Sequence, residues 1–422
     1  MRILTLRSLL LAPVALGYVV NEGTTYQIYP EALTHNGQAV DDAPSIHQAF
    51  DLCGINGTVI FTNNTFHINS ILNTTNLLNC NVSLRGELRF STNTPYWKSH
   101  VYSVIYQNQS TAWLFGGINT WYTENKNQAN QPGRPISITF YNSTNLLADG
   151  LTIFQPQFWA TLVWQSTNVS LRNFYVNATS NDEWGTVNTD GYDSWRSSNL
   201  LVESATIING DDCVAAKGNT TNLLVRHVTC HGSAGMTIGS IGQYPEWPDY
   251  VENVTFDGVR CINSSTGAYI KTWQGIPVDQ DSNGDVGGGG LGLVKNVTFK
   301  NFEMINTSLP IQISQCMYSE SSGACNTSKL QIEDVSWVNI TGTSRYNVVA
   351  SLYCSDPVPC PGIIFDNVTF ESVNHTLGLP MWNTTMQDEV YQCANIDGQN
   401  SSGIPCNRVA PDSFGGVSHN VQ

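Results

Sequence analysis

The sequence has few charged residues and no long apolar segment. Charged residues make up 12% of its 422 residues, and 18 Lys and Arg face 33 Asp and Glu, for a formal net charge of −15. This acidic balance excludes an ordinary nucleic-acid binder, which needs clustered Lys and Arg against phosphates. No segment approaches the roughly 20 consecutive apolar residues of a transmembrane helix, so we expect no membrane span. Low charge with 41% hydrophobic residues also excludes a disordered chain.

Zinc-type cysteine spacing is absent as well. None of the 11 cysteines forms a Cys-x-x-Cys pair, so a zinc ribbon has little support. In an oxidising compartment an odd count leaves at least one thiol over. Cys261 lies in an apolar run, and we expect it to be buried as a small hydrophobic residue. Spacing favours the pairs Cys213–Cys230, Cys316–Cys325, Cys354–Cys360 and Cys393–Cys406, with Cys53–Cys80 as a longer candidate.

The N-terminus has the pattern of a secretory signal peptide over residues 1–17. Two arginines flank a short start, residues 8–15 form an apolar run, and Ala-Leu-Gly fits a small-x-small cleavage site. We therefore predict cleavage after Gly17 and a secreted, extracellular mature protein of residues 18–422. About nineteen Asn-x-Ser/Thr acceptor sites then predict a glycoprotein, with loop sites such as Asn108 and Asn400 as strong candidates.

A weak internal repeat runs through the chain. Each unit starts with Asn or Asp and continues with alternating apolar residues, in short strands broken by Gly, Asn or Asp. We find no long segment of helical periodicity after the signal peptide. The repeats start at Asn145, Asn168, Asn199, Asn222, Asn253, Asn296, Asp334 and Asn367.

Repeats of this length that contain only short strands favour the coils of a parallel β-helix, an all-β solenoid. A single coil cannot bury its inner face, but stacked coils share one apolar core. Asn suits the corner because it tolerates left-handed backbone angles, and its amide can bond the neighbouring coil. An immunoglobulin-like sandwich is the alternative, although it accommodates unequal repeats less easily. We predict a single parallel β-helix over residues 18–422.

The densest polar cluster lies on successive repeats. Asp190 and Asp211 are 21 residues apart, about one coil, so Asp190, Asp211 and Asp212 should converge where adjacent strands are about 4.8 Å apart. Strand alternation puts Tyr269 and Lys271 on one side of a later strand. Close carboxylates repel, so one should have a raised pKa and act as an acid while another activates water. Glycoside hydrolysis requires this combination.

Two other interpretations explain the same acidic residues. An Asp-Asp pair is often a surface turn, and three carboxylates can hold calcium. Asp190 one coil away argues against the turn, and Lys271 on the same face would oppose a cation. We therefore predict a hydrolytic site without a metal or cofactor.

Four motifs resemble the polygalacturonases, glycoside hydrolase family 28. They are NTDG at 188–191, GDDC at 210–213, the Gly-rich segment that ends in IGS at 238–240, and the Ile-Lys pair at 270–271. The resemblance covers most of the mature chain, because the repeats match as well. It implies a right-handed parallel β-helix and hydrolysis of pectin with inversion of configuration.

The resemblance also implies roles for individual residues. Asp211 would be the general acid, while Asp190 and Asp212 would position and deprotonate the attacking water. Asn188 would contact the substrate. The pair Cys213–Cys230 matches the disulfide that follows GDD in the family.

Two positions depart from the family pattern and put the substrate in doubt. Ala234 stands where a His is usual, and Tyr269 stands where an Arg is usual. The rhamnogalacturonan-degrading branch resembles this chain in lacking both while keeping the Lys. Lys271 is our candidate to bind a uronate carboxylate rather than a solvated lysine, and Tyr269 either stacks on a sugar or packs. His231 could partly replace the missing His, although a lone His is more often structural.

Long insertions favour an exo-acting hydrolase, since loops that block a cleft restrict binding to chain ends. They cover residues 96–135, 243–250 and 273–290, and they carry aromatic residues that suit sugars or simply pack. We predict a monomeric exo-hydrolase that releases galacturonate from galacturonan. The alternatives are the same chemistry on rhamnogalacturonan, releasing galacturonate or rhamnose, and a carbohydrate-binding β-helix without activity.

Overall fold

The computed structural model describes most of the chain. The predicted signal peptide and Asn108 lie outside the described residues. Within the described part, no helix is long and apolar enough to cross a membrane. The described residues are 19–31, 37, 39–75, 77–105, 110–113, 120–128, 133–279, 286–317, 319, 321–373 and 388–413.

The backbone divides into two compact units, Met1–Ser91 and Thr92–Gln422. The single domain over 18–422 stays a prediction. The first unit contains β1 Val19–Glu22, β2 Thr25–Ile28, α1 Ala43–Cys53, β3 Thr58–Phe61, β4 Thr65–Ile68, β5 Leu72–Thr75, β6 Asn81–Leu84 and β7 Glu87–Phe90. Strands β1 and β2 are antiparallel, whereas β2, β3 and β6 pair in parallel, as do β4 and β7.

Helix α1 is a short helix in this mostly β chain. Ile46, Ala49, Phe50 and Cys53 recur every three or four residues and are buried, which is the amphipathic pattern of a helix. Pro44 lies in the first turn, where its missing N–H costs nothing. The helix has only 11 residues, so its apolar stripe is too short to stand out from the strand-like pattern around it.

The predicted pair Cys53–Cys80 is placed in contact but not bonded. The two Sγ atoms are 3.7 Å apart, and both residues are free thiols. Burial raises the pKa of Cys53 to about 12, with the neighbouring Cys80 as a smaller cause. A disulfide at this position stays a prediction.

The second unit is the predicted parallel β-helix. Its first part contains α2 Thr94–Ile105, β8 Ser110–Trp113, α3 Thr120–Asn125, β9 Ile138–Tyr141, β10 Thr144–Asp149, β11 Thr152–Phe154, β12 Thr161–Trp164, β13 Thr167–Arg172, β14 Tyr175–Asn177, β15 Tyr192–Trp195, β16 Ser198–Ile208, β17 Val214–Ala216 and β18 Thr220–His231. Its second part contains β19 Met236–Ile241, β20 Asp249–Ile262, β21 Thr266–Thr272, β22 Val278–Asp279, β23 Val286–Gly287, β24 Gly292–Thr307, β25 Leu309–Ser314, β26 Gln331–Ser344, β27 Val348–Tyr353, β28 Ile363–Ser372, β29 Val390–Ala394 and β30 Arg408–Val409, with short 3-10 turns at Ala324–Thr327 and Gln399–Ser401.

Successive coils contribute one strand to each of two parallel sheets. The long-strand sheet has the order β10-β13-β16-β18-β20-β24-β26-β28. The second, which we call the site sheet, runs β9-β12-β15-β17-β19-β21-β25-β27-β29-β30. Apolar side chains from both sheets form one core cluster. Register stacks equivalent rings, as with Phe256, Phe299 and Trp337, whose centroids are 5.0 and 5.6 Å apart. Parallel pairing across the coils excludes the immunoglobulin-like sandwich.

The recurrent Asn residues lie at corners, as predicted. They have φ between 53° and 58°, in the left-handed region. Amides of adjacent coils bond one another, including Asn222 Nδ2 to Asn199 Oδ1 at 3.0 Å and Asn253 Nδ2 to Asn222 Oδ1 at 3.0 Å. One assignment was wrong. Asn367 pairs with Asn339 in a second corner row, because Val368 lies opposite Ile340 and the first row continues at Gly362.

We expect Asn222→Ala to lower the free energy of unfolding by about 2 kcal/mol. It removes two amide hydrogen bonds and forces an alanine into the left-handed region, at roughly 0.5–1.5 and 1–2 kcal/mol respectively. Urea denaturation followed by circular dichroism measures the loss. Asn222→Gly is the control, since glycine tolerates the angle and should lose only the hydrogen-bond part. Equal losses for both variants would contradict a conformational role for Asn.

Candidate active site

The site sheet directs one row of side chains away from the apolar core, and these side chains are buried beneath neighbouring parts of the protein. Tyr192 and Ser194 point inward, so Asp193 faces outward between them. Parallel register places Ala215, Thr237, Tyr269 and Gln312 in the same row. This outer face carries the polar residues that the motifs predicted.

Asp190, Asp211 and Asp212 meet at the start of this face. Gly191 N donates to Asp212 O at 3.0 Å, which puts Asp190 beside Asp212 on the next coil. One carboxylate oxygen from each of the three lies within 4.8 Å of the others, and all three residues are buried. The one-coil spacing therefore brings the carboxylates together, as predicted.

Asp211 is held by neutral donors. Its Oδ2 accepts from Asn188 N at 3.1 Å and Asn188 Nδ2 at 3.3 Å, and its Oδ1 accepts from Asp212 N at 2.8 Å. Ala234 N donates to Asp211 O at 2.7 Å, so the position where a His was expected supports the backbone behind Asp211. Asn188 thus lies at the site, as predicted, with direct contact to the candidate acid.

Asp212 is held by lysines and a hydroxyl. Lys271 Nζ is 2.7 Å from Asp212 Oδ2, and Thr237 Oγ1 donates to Oδ1 at 2.8 Å. Tyr269 lies on the same side as Lys271, with its ring centroid 5.7 Å from Nζ, as alternation predicted. Tyr269 and Lys271 are only 4% and 3% exposed. The lysine is therefore committed to Asp212 in this structure, and its role in binding a uronate stays a prediction.

Lys217 joins three carboxylates and was missed from the sequence. Its Nζ is 3.4 Å from Asp190 Oδ2, 3.2 Å from Asp193 Oδ1 and 3.7 Å from Asp212 Oδ2. Burial by itself lowers the pKa of Lys217, but attraction to Asp193, Asp190 and Asp212 outweighs it and leaves the pKa raised. The ring of Trp159 lies 4.9 Å from the same ammonium. Strand alternation after the GDDC motif could have placed Lys217 on the outer face, but it does not identify which carboxylates the lysine pairs with.

Burial and mutual repulsion raise the pKa values of the carboxyl groups on this face. Burial, followed by repulsion from Asp193 and Asp211, raises the pKa of Asp190 well above its usual range, and Lys217 partly offsets this. Burial also raises the pKa of Asp193 to about 7, again opposed by Lys217. Two ammonium groups thus lie where a divalent cation would have to bind, so the residues fit an ion-paired hydrolytic site better than calcium.

Arg134 donates a hydrogen bond to Asn188 and was also not predicted from the sequence. Its Nη2 donates to Asn188 Oδ1 at 2.7 Å and its Nη1 to Val187 O at 2.8 Å, while its guanidinium stacks on Phe158 at 4.8 Å. Burial lowers the pKa of Arg134 to about 10, and Asp211 and Asp190 oppose that shift. Arg134 lies in the insertion at 96–135, which has no repeat pattern, so its position could not be predicted from the sequence.

Comparison with known proteins decides the family. A model of glycosyl hydrolases family 28 matches residues 62–397, more than half of the chain. The chain belongs to glycosyl hydrolases family 28. It is therefore a glycoside hydrolase, as predicted.

Relatives of this hydrolase carry different names. Alpha-L-rhamnosidase rgxB of Aspergillus niger is 34% identical over an alignment of 437 positions, which covers 99% of each protein. Exopolygalacturonase of Cochliobolus carbonum is 32% identical, over 86% of this chain and 82% of the relative. The crystal structure of endo-xylogalacturonan hydrolase from Aspergillus tubingensis has a TM-score of 0.71 and 26% identity, over 88% of this chain and 96% of that one.

His231 lies away from the carboxylates of the hydrolase. It ends β18 opposite Ile208 and lines a groove of about 500 Å³ together with Trp184, Asn209 and Arg345. Asp190, Asp211 and Asp212 do not line this groove. The structure places His231 in this groove, where its backbone O accepts from Asn209 N at 3.2 Å, and its part in replacing the missing His stays a prediction.

The hydrolase forms the four short-range disulfides that the cysteine spacing favoured. The bridges Cys213–Cys230, Cys316–Cys325, Cys354–Cys360 and Cys393–Cys406 are formed. Cys261 is a buried free thiol, as predicted. The first bridge links the residue after Asp212 to the neighbouring strand β18, which fixes the turn that carries Asp211 and Asp212.

Proposed function

We propose that this hydrolase is an exo-acting, inverting enzyme that removes the terminal sugar from a pectic backbone. The observation that carries the proposal is the meeting of three carboxylates with unlike partners. Asp211, bound by neutral donors, delivers a proton to the glycosidic oxygen. Asp190 and Asp212, bound by lysines, hold and deprotonate the attacking water.

The base role suits the raised pKa of Asp190. A general base gains driving force for proton abstraction as its pKa rises toward the working pH, and burial and repulsion raise the pKa of Asp190 in that direction. Asp190 must lose its proton for turnover. Activity is therefore expected to fall as the pH drops through its raised pKa.

Inversion rests on the ion pairs rather than on the carboxylate spacing. Carboxyl groups about 5–5.5 Å apart are typical of retaining enzymes, and about 6.5–9.5 Å of inverting ones. The 4.8 Å limit here joins single oxygens of the three groups, which approach more closely than whole carboxyl groups do, so it does not select either class. Asp190 and Asp212 are both held by lysines. That arrangement suits two groups that orient one water better than a carboxylate free to attack the sugar.

Exo action is supported by a relative and by one loop. The relative from Cochliobolus carbonum is named an exopolygalacturonase. The loop at 243–250 exposes Tyr244, Trp247 and Tyr250. The insertion at 96–135 contributes less, because Trp97, Trp121 and Tyr122 are buried and pack within the protein.

Galacturonate is the terminal sugar we propose, with rhamnose as the second candidate. One observation favours rhamnose: Lys217 and Lys271, the lysines beside Asp212, already bind carboxylates of the protein. A neutral sugar needs neither of them. The relative named alpha-L-rhamnosidase, which aligns along 99% of this chain, points the same way.

We also infer that the enzyme acts outside the cell as a monomeric glycoprotein. Four disulfides are formed, and such bonds persist in oxidising compartments. The N-terminal signal pattern and the acceptor sites support the same location.

Product analysis tests the proposal. The enzyme is incubated with polygalacturonic acid and with rhamnogalacturonan fragments of defined non-reducing ends, and products are followed over time. We expect monomeric galacturonate from polygalacturonic acid, with little early loss of viscosity, and proton NMR should show the β-anomer first. Rhamnose released only from the fragments would select the second candidate. An α-anomer first would overturn inversion, and oligomers with a rapid loss of viscosity would overturn exo action.

A further inference from the structure

Arg196 lies between two tryptophans at the edge of the site sheet. It follows β15 directly, is exposed, and has its guanidinium carbon 5.2 Å from the Trp195 ring and 6.0 Å from the Trp247 ring. Trp247 is 61% exposed. An arginine that stacks between aromatic rings presents its donor edge to solvent.

Three other arginines of the second unit pair with carboxylates. Arg172 and Arg226 both pair with Glu203, and Arg260 pairs with Glu303 at 2.6 Å. In the described part of the chain, no carboxylate lies within 4.0 Å of the Arg196 guanidinium. Burial raises the pKa of Asp249, and attraction to Arg196 is a smaller effect that opposes this shift, so Asp249 faces the guanidinium at longer range. The Arg196 side chain is exposed, so a ligand carboxylate can still approach it.

The backbone at Arg196 is one that arginine disfavours. Its φ is +49°, the same value as at Asn142 and Gln165, which hold the corresponding corners of the two preceding coils. Asn adopts this region more easily than Arg does. An arginine kept at such a corner points to a role for its side chain.

The loop that carries Trp247 is fixed to the coil beneath it. Gly242 N donates to Asp249 Oδ2 at 2.8 Å, closing the loop ends. A run of four glycines at 287–290 packs against it, with Gly288 N donating to Gln243 O and Gly290 N to Gly242 O, both at 2.9 Å. A Cβ on Gly289 would lie 2.8 Å from Pro245 N, so this approach requires glycine. The loop thus holds exposed aromatic rings on a constrained backbone.

This cluster is linked to the carboxylates through Lys217. Lys217 N donates to Ser194 O and Arg196 N donates to Gly218 O, so Trp195 and Lys217 are neighbours across one strand spacing of about 4.8 Å. Lys217 in turn contacts Asp190, Asp193 and Asp212. Arg196 follows Asp193 by three residues, roughly 10 Å along a strand, so a sugar on Arg196 would lie on the same face as the carboxylates but at a neighbouring position.

We propose that Arg196, Trp195 and Trp247 form a subsite for a uronate residue of the substrate, separate from Lys271. The uronate carboxylate pairs with the Arg196 guanidinium, and the apolar face of the sugar stacks on Trp247. This proposal rests on the proposed function in one respect, namely that the substrate is pectic. Both candidate backbones contain uronates, so the subsite suits either of them. The net charge of −15 repels a polyanion, so a local cation near the cleavage point is needed to hold it.

Calorimetric titration in an Asp211→Asn background, which prevents turnover, tests this subsite. Hexagalacturonate and its carboxyl-reduced, neutral form are the probes. We expect Arg196→Gln to weaken hexagalacturonate binding about tenfold and to leave the neutral probe unaffected, because one charge-assisted bond is lost. Trp247→Ala should weaken binding of both probes, because stacking does not need the carboxylate.

Matched controls remove the same groups elsewhere. Arg260→Gln deletes another exposed arginine, and Phe154→Ala deletes another exposed ring; neither should change binding. Unchanged affinity of Arg196→Gln for hexagalacturonate, or equal weakening for both probes, would overturn the subsite. If the wild type cleaves neither pectic backbone while Arg196→Gln still selectively weakens hexagalacturonate binding, the proposed reaction fails and the subsite stands.

Discussion

Asp211→Asn is expected to lower kcat about 10³-fold while leaving substrate binding largely intact. The amide has nearly the same shape but cannot deliver a proton to the leaving oxygen, and proton transfer by a positioned group contributes roughly 10²–10⁴-fold. Reducing-sugar release gives kcat, and titration with hexagalacturonate gives affinity.

Asp257→Asn is the matched control for this variant. Asp257 is a partly exposed carboxylate that pairs with Lys300 at 3.2 Å on the long-strand sheet. It loses the same charge without touching the site, and full activity is expected. An Asp211→Asn enzyme with more than a tenth of wild-type kcat would contradict the acid role. A wild type that binds but never cleaves would favour the binding-module alternative.

Lys217→Met is expected to reduce both activity and stability, each in a pH-dependent way. Lys217 lowers the pKa values of Asp190 and Asp193 against the effects of burial and mutual repulsion. Without the ammonium those pKa values rise further. The base then stays protonated to higher pH, so the acidic limb of the kcat profile moves upward and activity near pH 5 falls about 10²-fold.

The stability effect has the opposite pH trend. A carboxyl whose pKa in the folded state is raised above its unfolded value favours folding while protonated, and this contribution is lost as the pH rises through the folded-state pKa. The deficit of Lys217→Met relative to wild type should therefore be smallest at acidic pH. It should grow as the pH rises through about 7, the pKa of Asp193. Breaking a buried ion pair costs about 3–5 kcal/mol, which sets the expected deficit at pH 8.

Urea denaturation at pH 5 and pH 8 and a pH–kcat profile measure the two effects. Lys217→Arg keeps the charge and should retain most of the stability. Lys300→Met removes an exposed lysine, and its effect should be small at both pH values. A pH-independent deficit for Lys217→Met would mean that the lysine contributes packing alone, and an unmoved acidic limb would contradict its control of Asp190.

The convergence of the carboxylates could be predicted from spacing alone. In a solenoid, residues one coil apart are brought to neighbouring strands, so 21 residues between Asp190 and Asp211 translate directly into proximity. The corner asparagines could be predicted for a similar reason, because the left-handed angle is a local property of residue type. Asn367 was misassigned because two corner rows run five residues apart and both favour Asn.

The ionic partners could not be predicted in this way. Lys217 serves Asp190 and Asp193 from the following coil, and Lys271 reaches Asp212 from 59 residues away. Arg134 reaches Asn188 from an insertion without any repeat. Which charges pair depends on side-chain direction and burial at one position in space, and no local pattern records either.

By itself, the sequence determined the stacked coils, the corners, the four short-range disulfides and the meeting of Asp190, Asp211 and Asp212, since these follow from periodicity and residue type. The tertiary structure decided which lysine binds which carboxylate, that Lys271 is committed to Asp212, that His231 lines another groove, and that Arg196 lies within 6.0 Å of the rings of Trp195 and Trp247. The physical reason is that electrostatic interactions depend on distance and burial in three dimensions, whereas repeat patterns constrain only the positions of the coils.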